Sequence, residues 1–225
     1  LKYPHQTSWG VSTRIIGGII MTHGDDNGLV LPSAVAPIQV VIVPVQMHKE
    51  GVLEAARALE AELSKTYRVK LDDSDNSPGW KFAEYEMKGV PLRIEIGPRD
   101  IQSGQCVVVR RDNREKTFVP LSELSTVVGE KLEALTLALY EKAAANRAAR
   151  TYTATSLSEL CTIAAEKSGY IRAMWCGDRA CEEKLKEVAD ISSRCMPFGD
   201  TEEVAPTCVC CGKPAKTLVY WGKAY

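Results

Sequence analysis

Six cysteines fall within the last fifty residues, and four of them restrict what this end of the chain can fold into. They form two short pairs, Cys176-x4-Cys181 and Cys208-x2-Cys211, the second followed by Gly212-Lys213. Zinc takes four soft ligands in a tetrahedron, and two short loops brought together by folding supply them. The second pair has the compact spacing of a zinc knuckle, with Gly212 relieving the turn behind the second thiolate. The competing arrangement is a set of buried or paired thiols, and pairing needs an oxidising compartment. Cys210 stands as an alternative fourth ligand to Cys211, because the run Cys208-Val-Cys210-Cys211 offers both. Cys106, Cys161 and Cys195 are isolated and read as core residues.

A chain of 225 residues suits one large domain or two small ones, and 45% hydrophobic content is enough to build real cores. A formal charge of −1 provides no global pull toward nucleic acid or an anionic membrane. No run approaches the ~18 apolar residues of a membrane span. The N-terminus has no signal-peptide pattern, so a cytoplasmic location is expected. The chain opens without Met, inside a segment patterned as structured, and so reads as a piece of something longer.

Three parts are legible. In residues 1–38 the apolar run Ile15 to Met21 lies between Ser12, a good helix N-cap, and Gly24, a helix stop; 13–23 therefore reads as a short, mostly buried helix. Residues 39–150 alternate strand and helix patterns. Gln39–Val45 is a β-branched run suited to a strand covered on both faces. Val52, Ala56, Leu59 and Leu63 keep helical spacing, and a second strand is expected near Arg68–Leu71. Ser77-Pro78-Gly79 marks a turn before a helix around Lys81–Lys88. Strands at Pro91–Ile96 and Val107–Arg110 follow, then a long helix over 127–150 on Val128, Leu132, Leu135 and Leu139. The pattern predicts an α/β domain with a mixed or parallel sheet, then a small α+β cysteine domain at 151–225.

The strings Thr7-Ser8-Trp9-Gly10-Val11-Ser12-Thr13-Arg14 and His23-Gly24-Asp25-Asp26-x-Gly28-Leu29-x-Leu31-Pro32 resemble the end of the prolyl-tRNA synthetase catalytic domain. Ser77-Pro78-Gly79-Trp80-Lys81-Phe82 and Lys88-Gly89-Val90-Pro91-x-Arg93-x-Glu95-Ile96-Gly97-Pro98-Arg99-Asp100 resemble that family's anticodon-binding domain. The cysteine region, ending Trp221-Gly222-Lys223-Ala224-Tyr225, is similar to the zinc domain of its archaeal and eukaryotic-like branch. The resemblance covers the whole chain and implies three domains: 1–38, the end of a class II catalytic domain with its third motif; 39–150, anticodon binding; and 151–225, zinc binding.

The implied activity is proline–tRNA ligation, in which ATP activates proline to an adenylate before transfer to tRNA(Pro). It brings ATP with Mg, proline, a homodimer and a structural zinc as expected companions. By resemblance Arg14 is the ATP-phosphate arginine, a task that suits a planar, permanently charged fork. Ser12 is then a nucleotide contact, and Trp9 and Gly10 shape the proline–adenylate pocket. Motifs 1 and 2 of a class II synthetase are not in this sequence, so the chain alone is expected to be inactive.

Across 39–150, 17 Lys plus Arg balance 17 Asp plus Glu, so RNA binding must come from local placement. Resemblance assigns anticodon contacts to Phe82, Glu86, Arg93, Arg99 and Asp100. Proline anticodons end in GG, and carboxylates such as Glu86 and Asp100 can accept from guanine N1 and N2. From the residues alone, Phe82 reads as core and Glu86 as a solvated face. Trp80 and Tyr85 read as packing, Asp25 and Asp26 as a helix-end turn. Arg110, Arg111 and Arg114, near a strand end, read either as candidate phosphate contacts or as solvated hairpin charges. The terminal Tyr225 is expected to be buried toward the catalytic site. A non-catalytic tRNA-binding module with the same fold is the alternative function, and the segment at 7–37 argues against it.

Overall fold

A computed structural model describes residues 3–4, 6–199 and 202–223. The expectation for Tyr225 lies outside the described residues. Two compact units divide between Ala143 and Ala144.

The first unit holds α1 (Arg14–His23), β1 (Val40–Pro44), α2 (Val52–Leu63), β2 (Val69–Leu71) and α3 (Pro78–Met87). Then come β3 (Leu92–Ile96), α4 (Pro98–Gln102), β4 (Gln105–Arg110), β5 (Lys116–Pro120) and most of α5 (Leu124–Ala149). Its sheet runs β2-β1-β3-β4-β5. The β1 pairings with β2 and β3 are parallel; β3–β4 and β4–β5 are antiparallel. Every residue of β1 is buried, as its unbroken apolar run requires. Ile42, Leu92, Ile94, Cys106 and Val108 pack with Ala56 and Leu63 of α2 and Val128 and Leu132 of α5 on one sheet face. Val41 and Val43, on the other face, pack with Tyr85 and Val90.

Several boundaries differ from expectation. Pro78 and Gly79 are the first turn of α3: Pro fits a position whose N–H has no helical partner, and the Ser77 hydroxyl caps it by accepting from the Trp80 N–H at 3.4 Å. Strand β5 is new; only Val119 of its five residues is buried and Phe118 is exposed, a pattern too weakly apolar to be read from sequence. Helix α1 has no buried residue, against the expected mostly buried helix, and Ile15, Ile16 and Met21 are exposed. Thr13, not Ser12, is its N-cap, and no side chain caps it. Gly24 does end the helix, with its N–H on Ile20 O. A Cβ there would meet that oxygen at 2.6 Å.

The second unit holds β6 (Thr151–Thr153), α6 (Leu157–Glu166), β7 (Tyr170–Trp175), α7 (Arg179–Ala189), β8 (Ser192–Cys195) and β9 (Thr217–Gly222). Its sheet order is β6-β7-β9-β8, parallel only between β6 and β7. Leu160, Ala173, Leu185, Val219 and Trp221 form its apolar cluster. Cys106 is buried as expected, Cys161 is half-buried, and Cys195 is exposed on β8, so the core reading fails for Cys195. No helix among the described residues is long and apolar enough to cross a membrane.

Candidate nucleic-acid face and metal centre

Helix α3 and strand β3 bring three of the five expected anticodon residues together. Phe82 and Glu86 are one turn apart on α3 and share a face. Arg93 lies opposite on β3, only 8% exposed. Its guanidinium sits 4.0 Å from the Phe82 ring centroid and donates to Glu86 Oε1 at 3.1 Å and to Glu95 Oε1 at 3.0 Å. A stacked, doubly paired arginine fixes both the ring and the Glu86 carboxylate in one geometry. The half-buried Phe82 is therefore neither plain core nor a free platform. Glu95 was not singled out from sequence, although it stands two residues from Arg93 on the same strand face.

Arg99 and Asp100 lie on the short α4 that β3 feeds through Gly97. Arg99 is exposed. Asp100 accepts the Gly97 N–H at 2.8 Å, which commits one carboxylate oxygen to the start of α4. Trp80, expected to pack, is 51% exposed at the beginning of α3, whereas Tyr85 is buried as expected.

Arg110 and Arg111 are committed to carboxylates, which corrects the phosphate-contact reading for these two, whereas Arg114 is exposed. Arg110 makes a two-point pair with Asp112, at 3.0 and 2.7 Å. The side chain of Arg111 is 2% exposed and donates through Nη1 and Nη2 to the two oxygens of Asp25, each at 2.7 Å. Its Nε donates to the Glu86 backbone oxygen at 2.8 Å. The Arg111 hydrogen bonds hold the Asp25 carboxyl well below its ordinary range. Asp25 is thus an anchor rather than simply a helix-end turn. Around it the segment lies hard against the end of α3: Leu29 N–H donates to Met87 O, and a Cβ on Gly28 would meet the Met87 backbone at 2.6 Å. A pairing 86 residues apart has no local sequence signal.

The N-terminal residues assigned by resemblance lie on the surface of the described residues. Trp9, Gly10, Ser12 and Arg14 are all exposed, Trp9 at 93%.

In the second unit Cys176, Cys181, Cys208 and Cys211 place their sulfurs within 4.8 Å of one another. Cys176 directly follows β7, which ends at Trp175, and Gly177, at φ 84°, turns the chain into α7. Asp178 caps α7 by accepting from the Ala180 N–H, and the first turn then presents Cys181. The knuckle closes through Gly212 N–H to Cys208 O at 3.0 Å, with Gly212 at φ 70° as the turn requires. Two bonds stitch the segment to β7: Val209 N–H to Met174 O and Lys216 N–H to Trp175 O.

The sulfur spacing tests the fit. Cys176 to Cys181 is 3.7 Å and Cys211 to Cys176 is 3.8 Å. A Zn–S bond of about 2.3 Å gives a tetrahedron edge of roughly 3.8 Å. The four residues can therefore hold a metal ion, and Cys211, not Cys210, completes the close set. Burial and the neighbouring thiols push the Cys181 thiol upward. Burial acts in the same direction on Cys208, but the N–H groups of Cys211 and Cys210 outweigh it and bring that thiol down to about 7. A cation resolves the repulsion that four thiolates at this spacing create. Four thiolates would saturate a tetrahedral ion and leave no position for water, the arrangement of a structural rather than a catalytic site.

Residues 39–131 match the family model of the anticodon binding domain, and residues 157–225 match that of the C-terminal domain of prolyl-tRNA synthetase. The chain thus carries an anticodon-binding domain of the synthetase class. It is 60% identical over 225 residues to a proline–tRNA ligase of Clostridium novyi (strain NT), covering 100% of this chain and 47% of that protein. It is 59% identical over 224 residues to proline–tRNA ligase 2 of Bacillus cereus, and 58% identical over 225 residues to the Lachnoclostridium phytofermentans proline–tRNA ligase, with the same coverage. The chain spans about half the length of these curated relatives. Over its whole length it matches the C-terminal part of a prolyl-tRNA synthetase.

Proposed function

We propose that this chain is the C-terminal part of a proline–tRNA ligase, an enzyme that activates proline with ATP and Mg and transfers it to tRNA(Pro). Agreement along the full 225 residues with a proline–tRNA ligase at 60% identity carries the reading. Residues 1–38 complete the catalytic domain, 39–150 read the anticodon, and 151–225 form a zinc-stabilised domain. Arg14 binds an ATP phosphate, with Ser12 as a second nucleotide contact and Trp9 and Gly10 at the proline–adenylate pocket. The exposed state of α1 suits a segment that closes a site with other residues of the protein. Phe82, Glu86, Arg93, Arg99 and Asp100 form the anticodon face; Cys176, Cys181, Cys208 and Cys211 hold zinc. The working enzyme is a homodimer in the cytoplasm, where thiols stay reduced.

The test uses the full-length protein. Proline-dependent pyrophosphate exchange should be present, and Arg14→Ala should depress it by the equivalent of roughly 2–4 kcal/mol, as for other charged contacts in closed sites. Near-normal exchange would make Arg14 structural. Tight tRNA binding with no exchange in the unmodified protein would instead establish a non-catalytic tRNA-binding module.

A further inference from the structure

Two stretches of chain far apart in sequence share a seam in the first unit. One is the turn after α1, Asp25 to Leu29; the other is the carboxyl end of α3 and its exit, Glu86 to Gly89. Their backbones touch, with Leu29 N–H donating to Met87 O at 3.0 Å. A Cβ on Gly28 would meet the Met87 backbone at 2.6 Å, and one on Gly89 would meet the Leu29 side chain at 2.6 Å. Both glycines also have positive φ, 126° and 71°, which a side chain would strain. Contacts packed this closely transmit a displacement rather than absorb it.

Arg111 closes the seam from inside. Its side chain is 2% exposed. Nη1 and Nη2 each donate to one oxygen of Asp25 at 2.7 Å, while Nε donates to the Glu86 backbone oxygen at 2.8 Å. The Arg111 N–H donates to Pro91 O at 2.9 Å, which ties it to the residue before β3. Glu86 is therefore held twice, at its carbonyl by Arg111 and at its carboxylate by Arg93, the latter at 3.1 Å. Asp25 is held at its side chain by Arg111, and its N–H and C=O both bond Gly28 at 3.0 Å.

Stability is a poor account of such a pair, since packed apolar residues of similar volume often serve as well as a buried ion pair. What a planar fork adds is orientation: three donors in one plane fix the angles between the groups they bond. Those groups lead to two different sites of the proposed enzyme. Glu86 is on the anticodon face. Asp25 stands two residues beyond α1, whose first residue is Arg14.

We propose that Arg111 is a positioning residue that couples the anticodon face to the catalytic segment. Displacement of Glu86 as it engages a base reaches the end of α1 through the Arg111 guanidinium and Asp25, and α1 carries it to Arg14. The coupling runs both ways, because linked binding equilibria change one another by the same factor. The inference rests on the proline–tRNA ligase reading above, with Glu86 at the anticodon and Arg14 at ATP.

The experiment uses full-length protein and two measurements. The first is the affinity of an RNA stem-loop carrying the proline anticodon, without and with ATP plus proline. The stem-loop has no acceptor end, so any effect of the small substrates on it passes through protein. The parent should show a change of about 5- to 150-fold, the usual span of coupling between sites, and Arg111→Lys and Asp25→Asn should each reduce it to about threefold or less. The second is charging of tRNA(Pro) with its own or a substituted anticodon, resolved into kcat and KM. In the parent the substitution should lower kcat as well as raise KM. In both variants the kcat difference should shrink while the KM difference persists. One preparation charges both tRNAs, so a lowered active fraction cancels from the ratio. A merely structural anchor would leave the kcat ratio at the parent's value, and that result in both variants would overturn the proposal. Stem-loop affinity indifferent to ATP plus proline in the parent would overturn it with no variant needed. If the parent discriminates anticodons through KM alone, the coupling falls and the anticodon-face reading stands. If the parent charges both tRNAs alike, that reading fails and the coupling with it.

Discussion

The first unit buries Ile42, Leu92, Ile94 and Ile96 between a five-stranded sheet and two helices, whereas the second sets three buried thiols and one exposed thiol beside a smaller apolar cluster. Each buried Ile or Leu contributes roughly 1.5–3 kcal/mol, so the first unit has a conventional source of stability. The second must hold four sulfurs at contact distance, which is unfavourable without a cation. The difference teaches that burial and functional placement are separable. In the proposed reading the first unit offers spare sheet surface for recognition, whereas the cysteines of the second would serve to build the unit itself.

Metal removal is the sharpest way to break this comparison. Structural zinc contributes on the order of 10–16 kcal/mol in small zinc domains at neutral pH. Chelation, or Cys211→Ser, should therefore unfold the second unit while the first retains its helix and sheet signals. Elemental analysis should give one zinc per chain in protein never exposed to chelator. Cys210→Ser should keep that zinc, because the close set is completed by Cys211. Zinc lost from Cys210→Ser and retained in Cys211→Ser would reverse the ligand assignment.

Much of this contrast was legible before any coordinates. The β1 run, the 3.6 period of Val128 to Leu139 and the cysteine spacing each state their geometry locally. What escaped the sequence is non-local or marginal. Strand β5 does not alternate as a half-buried strand should, because its exposed face carries Phe118 and its inner face carries Thr117 beside Val119. The Asp25–Arg111 pair joins residues 86 apart, and nothing in either neighbourhood names the other. Cys195 and Trp80 were misplaced for a different reason. Residue type predicts burial only on average: Trp80 sits on a helix that buries Lys81 and Tyr85 instead, and Cys195 on a strand with no buried residue.

That ion pair sharpens the comparison from the other side, since it is a charge buried within the unit that folds by apolar packing. Asp25→Ala leaves the Arg111 guanidinium buried with the Glu86 carbonyl as its remaining partner shown here. Uncompensated buried charges cost about 3–5 kcal/mol. The lower end is expected, because the Asp25 side chain is 35% exposed and water can partly replace it. Urea unfolding should show the loss in the first transition only. The pH dependence has a definite sign: a depressed folded-state carboxyl contributes fully above its unfolded value, near 4, and loses that contribution as pH falls further. The parent should lose stability on acidification below about pH 4 by more than Asp25→Ala does. Equal acid sensitivity in the two proteins would mean the pair contributes nothing net.

The smallest effect should be the most specific, and it concerns recognition rather than folding. Glu86 is held by Arg93, and Asp100 by the Gly97 N–H, so each carboxylate is presented in a fixed orientation. Glu86→Gln and Asp100→Asn keep size and an accepting oxygen while introducing a donor where guanine presents its own donors. Asp100→Asn is preferable to alanine, because an asparagine oxygen still caps α4, and losing a cap alone would cost about 0.5–2 kcal/mol. Each change should reduce discrimination at one anticodon guanine by about 1–3 kcal/mol, the scale of a base-edge contact. Arg93 behaves differently. It is 8% exposed and bonded to two carboxylates, so Arg93→Ala should relax preference by releasing Phe82 and Glu86, without the change in salt slope that a phosphate contact gives. Zinc content and the second unit's unfolding should be untouched in all three variants. Charging of wild-type and anticodon-substituted tRNA(Pro) by each full-length variant decides the matter. If every variant keeps the parent's preference at both guanines, these carboxylates serve only to build the sheet face and the anticodon is read elsewhere.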